Sequence, residues 1–243
     1  MRHQDHDPRI ALSMMSFPVD FQAALRPTPT LDSDHAGLRN WTRDAVAGCT
    51  SAIDQAVRLY YAVRDGFRYD PYRIDLSTRG MSASRVIESG YGWCIPKAVL
   101  LAAACRVVGI PARVGLADVR NHLSTARLRE KMGTDVFYRH GYTALHLNGQ
   151  WVKATPAFNI ELCEKLRLQP LDFDGTADSI YHPFDLKGQR HMEYLALHGE
   201  HDDLPLEDVR HVFSTHYPQL LTSSGDDWLR DVEKDRAADG SAP

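Results

Sequence analysis

The chain has only four cysteines in 243 residues, Cys49, Cys94, Cys105 and Cys163. No two form a Cys-x-x-Cys pair, which argues against a structural zinc site. Their wide, uneven spacing gives no disulfide framework. No apolar run approaches the ~18 residues that span a bilayer, and the longest, Val99–Cys105, falls far short. A basic surplus is missing too. Lys and Arg number 28 against 32 Asp and Glu, a net charge of −4, which does not suit a nucleic-acid binder. Met1–Pro18 carries charges and histidines in place of an apolar stretch, so no secretory signal is expected. The expected setting is the cytosol, where thiols stay reduced, with neither a nucleic-acid nor a membrane partner.

Hydrophobic residues make up 43% of the chain and charged residues 25%, enough for a full core in one large domain. We expect an irregular N-terminal segment over residues 1–32, a single domain over 33–222, and a charged, flexible tail over 223–243. Ala45, Cys49, Ile53, Val57, Tyr60 and Val63 recur at helical spacing and predict one amphipathic helix over 34–65. Ser82 can cap a short helix. A strongly apolar helix follows Cys94 and ends near Gly109, with Pro96 tolerable only in its first turn. "IPARVGLADV" reads as a strand. Asn148-Gly149 is a hairpin turn between His140–Leu147 and Gln150–Thr155. Helix leading into strands gives an α+β fold rather than regular βαβ alternation.

Twelve histidines invite a metal site. His140 and His146 share a strand face but stand roughly 20 Å apart at strand rise. The late histidines His182, His191, His198 and His201 form no helical i,i+4 pair, and there is no EF-hand-like acidic loop. No metal or cofactor is expected.

Cys94 is the residue whose position calls for chemistry. It lies between an aromatic turn, Gly90-Tyr91-Gly92-Trp93, and the first turn of the apolar helix. Unpaired N–H groups and the helix dipole there favour a thiolate and can hold an oxyanion. A cysteine that only packs would sit inside the apolar run, as Cys105 does; Cys49 also reads as core. A nucleophilic thiol needs a base, and His140, at the start of the hairpin, is the candidate. Trp93 either lines an acyl channel or packs at its rim. Arg113 and Asp118 either pair or line the cleft.

"GWC", a helix and "GIPARV", followed by "HGYTALHLNGQW", together resemble the core of the transglutaminase-like superfamily, whose fold is related to papain-type proteases. The resemblance covers roughly Ala45–Phe158 and includes the upstream "AVRDGFRYDPY". It implies a nucleophile, Cys94, at the N-terminus of a buried helix packed on an antiparallel sheet, and His140 as base. It also implies a third residue near the end of the return strand, usually an aspartate before a proline. This chain has Thr155 before Pro156. Thr155 can accept a histidine N–H but carries no charge to stabilise an imidazolium; Asn159, Asp172 and Asp174 are the alternatives.

The resemblance implies an enzyme that acts on amide bonds of a protein or peptide through a thioester. Hydrolysis, as in a peptidase or deamidase, is favoured over transamidation, because an amine acceptor needs its own site. The alternative is an inactive member of the fold used as a protein- or peptide-binding module, which the missing aspartate supports.

Overall fold

The helix expected over 34–65 is two helices, α1 (Ala36–Ala45) and α2 (Ala52–Gly66). Gly48 takes a left-handed conformation, φ 82°, and breaks the run. Ser51 then starts the second helix by accepting the Asp54 N–H. These details come from a computed structural model that describes residues 21–121, 124–180, 192–222 and 227–238. Expectations for residues 1–20 and for His182 and His191 lie outside the described residues.

After α2 come β1 (Arg68–Tyr69), α3 (Ala83–Ser89), β2 (Tyr91–Gly92) and α4 (Cys94–Val107). Ser82 caps α3 as expected, and Gly90, at φ 74°, turns the chain into β2, which pairs in parallel with β1. Then follow β3 (Ala112–Asn121), α5 (Ala126–Met132), β4 (Val136–Leu147), β5 (Gln150–Ala154), α6 (Ile160–Leu166), β6 (Met192–His201), α7 (Leu206–His216), α8 (Pro218–Thr222) and α9 (Trp228–Ala238). The main sheet runs β5-β4-β3-β6 and is antiparallel throughout. Asn148 and Gly149 both have positive φ and close the β4–β5 hairpin, which was legible from the dipeptide.

α4 is the centre of the α+β core. Every residue from Cys94 to Arg106 is buried, as a helix with apolar residues on all sides requires. The Thr143 hydroxyl donates to Ala98 O and ties β4 to α4. Two buried cations are matched to backbone carbonyls. Lys97 Nζ donates to Arg64 O, Phe67 O and Ala157 O, and Arg106 donates to Ala112 O and Asp202 O.

The segment 21–32 is irregular apart from one 3-10 turn, yet Ala24 and Leu31 are fully buried. From 223 onward the sequence suggested a flexible tail, but its described part forms α9, with Trp228 and Val232 in the core. Two well-placed apolar residues outweigh the surrounding charge. No helix among the described residues is long and apolar enough to cross a membrane.

Candidate active site

Cys94 is the first residue of α4, with the extended residue Trp93 at the N-cap. β2 delivers the chain to this point, and β4 crosses directly over it. Gly141 has no room for a side chain, since a Cβ there would lie 2.7 Å from Ile95 Cα and 3.0 Å from Cys94 O. That approach brings the backbone N–H groups of Gly141 and Ile95 near the Cys94 sulfur, where they favour the thiolate. His140 is 2% exposed, and it lines the same small cavity as Cys94. The structure therefore brings Cys94 and His140 to one chamber from separate elements.

The chamber measures about 30 Å³, room for a water molecule. Tyr69, Trp93 and Tyr138 form part of its wall, and Phe213, Tyr217 and Leu220 cover it from α7, α8 and their junction. Trp93 and Phe213 rings lie 5.2 Å apart. Tyr217 Oη donates to Val136 O at 2.8 Å and accepts the Tyr138 N–H at 2.5 Å, so the cover is bonded to β4.

Electrostatics at the thiol differ in sign from the expectation drawn from the helix terminus. Burial pushes the Cys94 thiol up to about 11, and the N–H donors offset only part of this. The resting sulfur is a protonated thiol, because the cover removes the water that would solvate a thiolate. Burial likewise pushes Cys105 up. All four cysteines are free. Cys105 is fully buried within α4, and Cys163 donates weakly to Phe158 O.

Thr155 is buried, but its Oγ1 makes no hydrogen bond among the described residues. Its backbone is engaged instead, with its N–H on Ser179 O and its carbonyl accepting the Tyr60 hydroxyl. Asn159 Oδ1 accepts the Tyr69 N–H. Asp172 takes the Tyr61 hydroxyl and lies 3.7 Å from Arg64. Asp174 accepts from Thr176 within its own exposed turn. None of these hydrogen bonds reaches His140.

Other side chains fall elsewhere. Arg113 pairs with Asp202, and Asp118 pairs with Arg139, so the two do not pair with each other. His146 packs between Phe21 and Trp151. Among the described residues no group of three His, Cys, Asp or Glu is placed to hold a metal ion. The sequence reading missed Gly141, Tyr217 and Phe213. The last two had a usable signal, the apolar spacing Val209, Val212, Phe213 and Tyr217 on one helical face.

The class these features define is an α+β protein with a cysteine opening a buried helix and a histidine on the facing antiparallel strand. Residues 39–156 match the family model of the transglutaminase-like superfamily, the family that the sequence motifs resemble. One solved structure, a candidate cysteine protease from Cytophaga hutchinsonii, is similar with a TM-score of 0.46 and 14% identity, over 76% of this chain and 55% of that one. A candidate protease from Parabacteroides distasonis gives a TM-score of 0.36 and 18% identity, over 58% of this chain and 31% of that one. The chain thus spans about half the length of the first and under a third of the second. No curated protein matches it.

Proposed function

We propose that the protein is a cysteine-dependent amide hydrolase that works through a thioester at Cys94, with His140 as the base. The observation that carries this reading is the convergence of Cys94 and His140 on one chamber, with the Gly141 and Ile95 N–H groups at the sulfur. With the thiol raised to about 11, His140 acts as a general base at the moment of attack. It takes the thiol proton as sulfur bonds to the carbonyl carbon, then gives that proton to the leaving amine. Backbone N–H groups at the start of α4 are available to the oxyanion. A second proton transfer through His140 activates water, which cleaves the thioester to acid and free thiol. Hydrolysis is favoured over transamidation because water needs no binding site of its own, whereas an amine acceptor does. The substrate is an amide of a protein or peptide chain.

A second reading, a binding module that has lost catalysis, draws on two observations. Cys94 is 4% exposed, and the chain has Thr155 before Pro156 where the resemblance implies an aspartate.

Acylation separates the two. Incubation with an activated ester such as p-nitrophenyl acetate, followed by peptide mass mapping, is expected to place the acyl group on Cys94. His140→Ala is expected to slow that acylation by about a hundredfold, the usual contribution of a general base. Acyl transfer to exposed residues with none at Cys94, in a folded protein, would sink the enzyme reading and leave the binding module.

A further inference from the structure

His140 stands next to the one irregularity in β4. Leu116 pairs with Gly141 and Ala117 with His140, but the following pair is Val119 with Phe137. Tyr138 and Arg139 therefore face Asp118 alone, which is a β-bulge. Arg139 takes φ 60°, the left-handed region that a non-glycine residue seldom occupies. A regular ladder fixes His140 from its C-terminal side only. On the other side its backbone direction depends on what holds Arg139.

Arg139 is held at both its backbone and its side chain. Its N–H donates to Asp118 Oδ1 at 2.9 Å, and its Nη1 reaches the same oxygen at 3.3 Å. Nε and Nη2 donate to the two oxygens of Asp208, in the first turn of α7, at 2.6 and 3.1 Å. Such a fork fixes the guanidinium plane as well as its position. His198 Nε2 lies 2.8 Å from Asp118 Oδ2 and 2.7 Å from Arg139 Nη1, and it can donate to the first or accept from the second, not both. The Asp118 and Arg139 side chains are 14% and 15% exposed, so water screens them little. Asp208 is held below the usual carboxylate range, chiefly by its hydrogen bonds from Arg139. The Asp208–Arg139 pair therefore stays ionised into mild acid.

Tyr138 and His140 both line the thiol chamber, whereas Arg139 and Asp118 do not. We propose that Asp118 and Arg139 are positioning residues for His140: they lock the bulge so that the imidazole faces Cys94. This supplies through the backbone the fixed orientation that the Thr155 hydroxyl does not. It rests on the reading of His140 as the base.

The test uses the full chain with two readouts, the NMR titration of the His140 imidazole and the pH profile of Cys94 alkylation by iodoacetamide. The alkylation rate near neutrality is divided by the alkaline limit, so a change in access cancels. Asp118→Ala is expected to shift the His140 titration and to lower this ratio by roughly tenfold or more, towards His140→Ala. Asp118→Asn, which keeps an acceptor for the Arg139 N–H, is expected to restore most of the ratio. If Asp118→Ala leaves both readouts as in the wild type, the clamp is only structural and the proposal falls. Should Asp118→Ala unfold, seen as alkylation of Cys105, Arg139→Gly decides. Glycine adopts φ 60° without strain and keeps the N–H, so an unchanged ratio and titration there overturn the proposal. If His140→Ala leaves the ratio unchanged, the enzyme reading fails by itself. The His140 titration in Asp118→Ala then still supports positioning if it moves and overturns it if it does not.

Discussion

The backbone of Gly141 lies against the helix backbone at Cys94 and Ile95, near enough for its N–H to favour a Cys94 thiolate. Strand and helix meet there because residue 141 has no side chain. The nearest atoms to an added Cβ are Ile95 Cα, Cys94 O and Ile95 N, all of them main chain, so no rotamer change makes room.

Gly141→Ala should therefore push β4 away from α4. Overpacking of a tight core contact costs about 1–3 kcal/mol, and Gly141→Ala should reach the upper end of that range. It should also lose acylation of Cys94 even where the fold survives. Urea denaturation and acyl mapping check the two parts. Wild-type stability with wild-type acylation would show that the contact does not hold the site together.

Tyr217 is the bond between the cover and the strand that bears His140. Tyr217→Phe keeps the ring against Phe213 but removes the hydroxyl from Val136 O and the Tyr138 N–H. Two hydrogen bonds at about 1 kcal/mol each shift the closed–open balance by roughly 5- to 30-fold. Alkylation of Cys94 by iodoacetamide should speed up by that factor across the pH range, while Cys105 stays protected. An unchanged rate would mean that the cover is not latched by this residue.

Cys94 and His140 stood out in the sequence as candidates because each sits in a local pattern. Cys94 lies between an aromatic turn and an apolar helix, and His140 opens the stretch before an Asn-Gly hairpin. The strand proved longer than its pattern, starting at Val136, because the bulge at Arg139 breaks the alternation that marks a strand. The sign of the thiol shift was not legible. It depends on Phe213, Tyr217 and Leu220, more than a hundred residues downstream, which bury a sulfur that the helix terminus alone would have favoured as an anion. A third partner for His140 was sought among side chains near the return strand. Thr155, Asn159, Asp172 and Asp174 turned out to bond elsewhere or to make no side-chain bond at all. Arg139 gave no warning, since a left-handed arginine is fixed by tertiary contacts and not by propensity.

Lys97, three residues past Cys94, provides a test of how the first turn of α4 is anchored. Its Nζ lies 2.9, 2.8 and 2.7 Å from Arg64 O, Phe67 O and Ala157 O, and the side chain is fully buried. Those carbonyls end α2 and follow β5, so one ammonium joins three parts of the core. Lys97→Met keeps the approximate length but leaves three buried acceptors without their donor. A loss of about 3 kcal/mol or more is expected, at roughly 1 kcal/mol or more for each unsatisfied group. Burial also pushes Lys97 down to about 7. With the folded value below the ordinary lysine value, the folded state gives up its proton first. The stability linked to this group is thus greatest above the unfolded value, about 10.4, falls as pH drops towards 7, and is flat below that. The difference in unfolding free energy between wild type and Lys97→Met isolates this contribution from the buried tyrosines and thiols. Urea denaturation at several pH values should show that difference growing in favour of the wild type between pH 7 and about 10.4. A constant difference over that window would mean that the three carbonyls hold the ammonium strongly enough to cancel its desolvation.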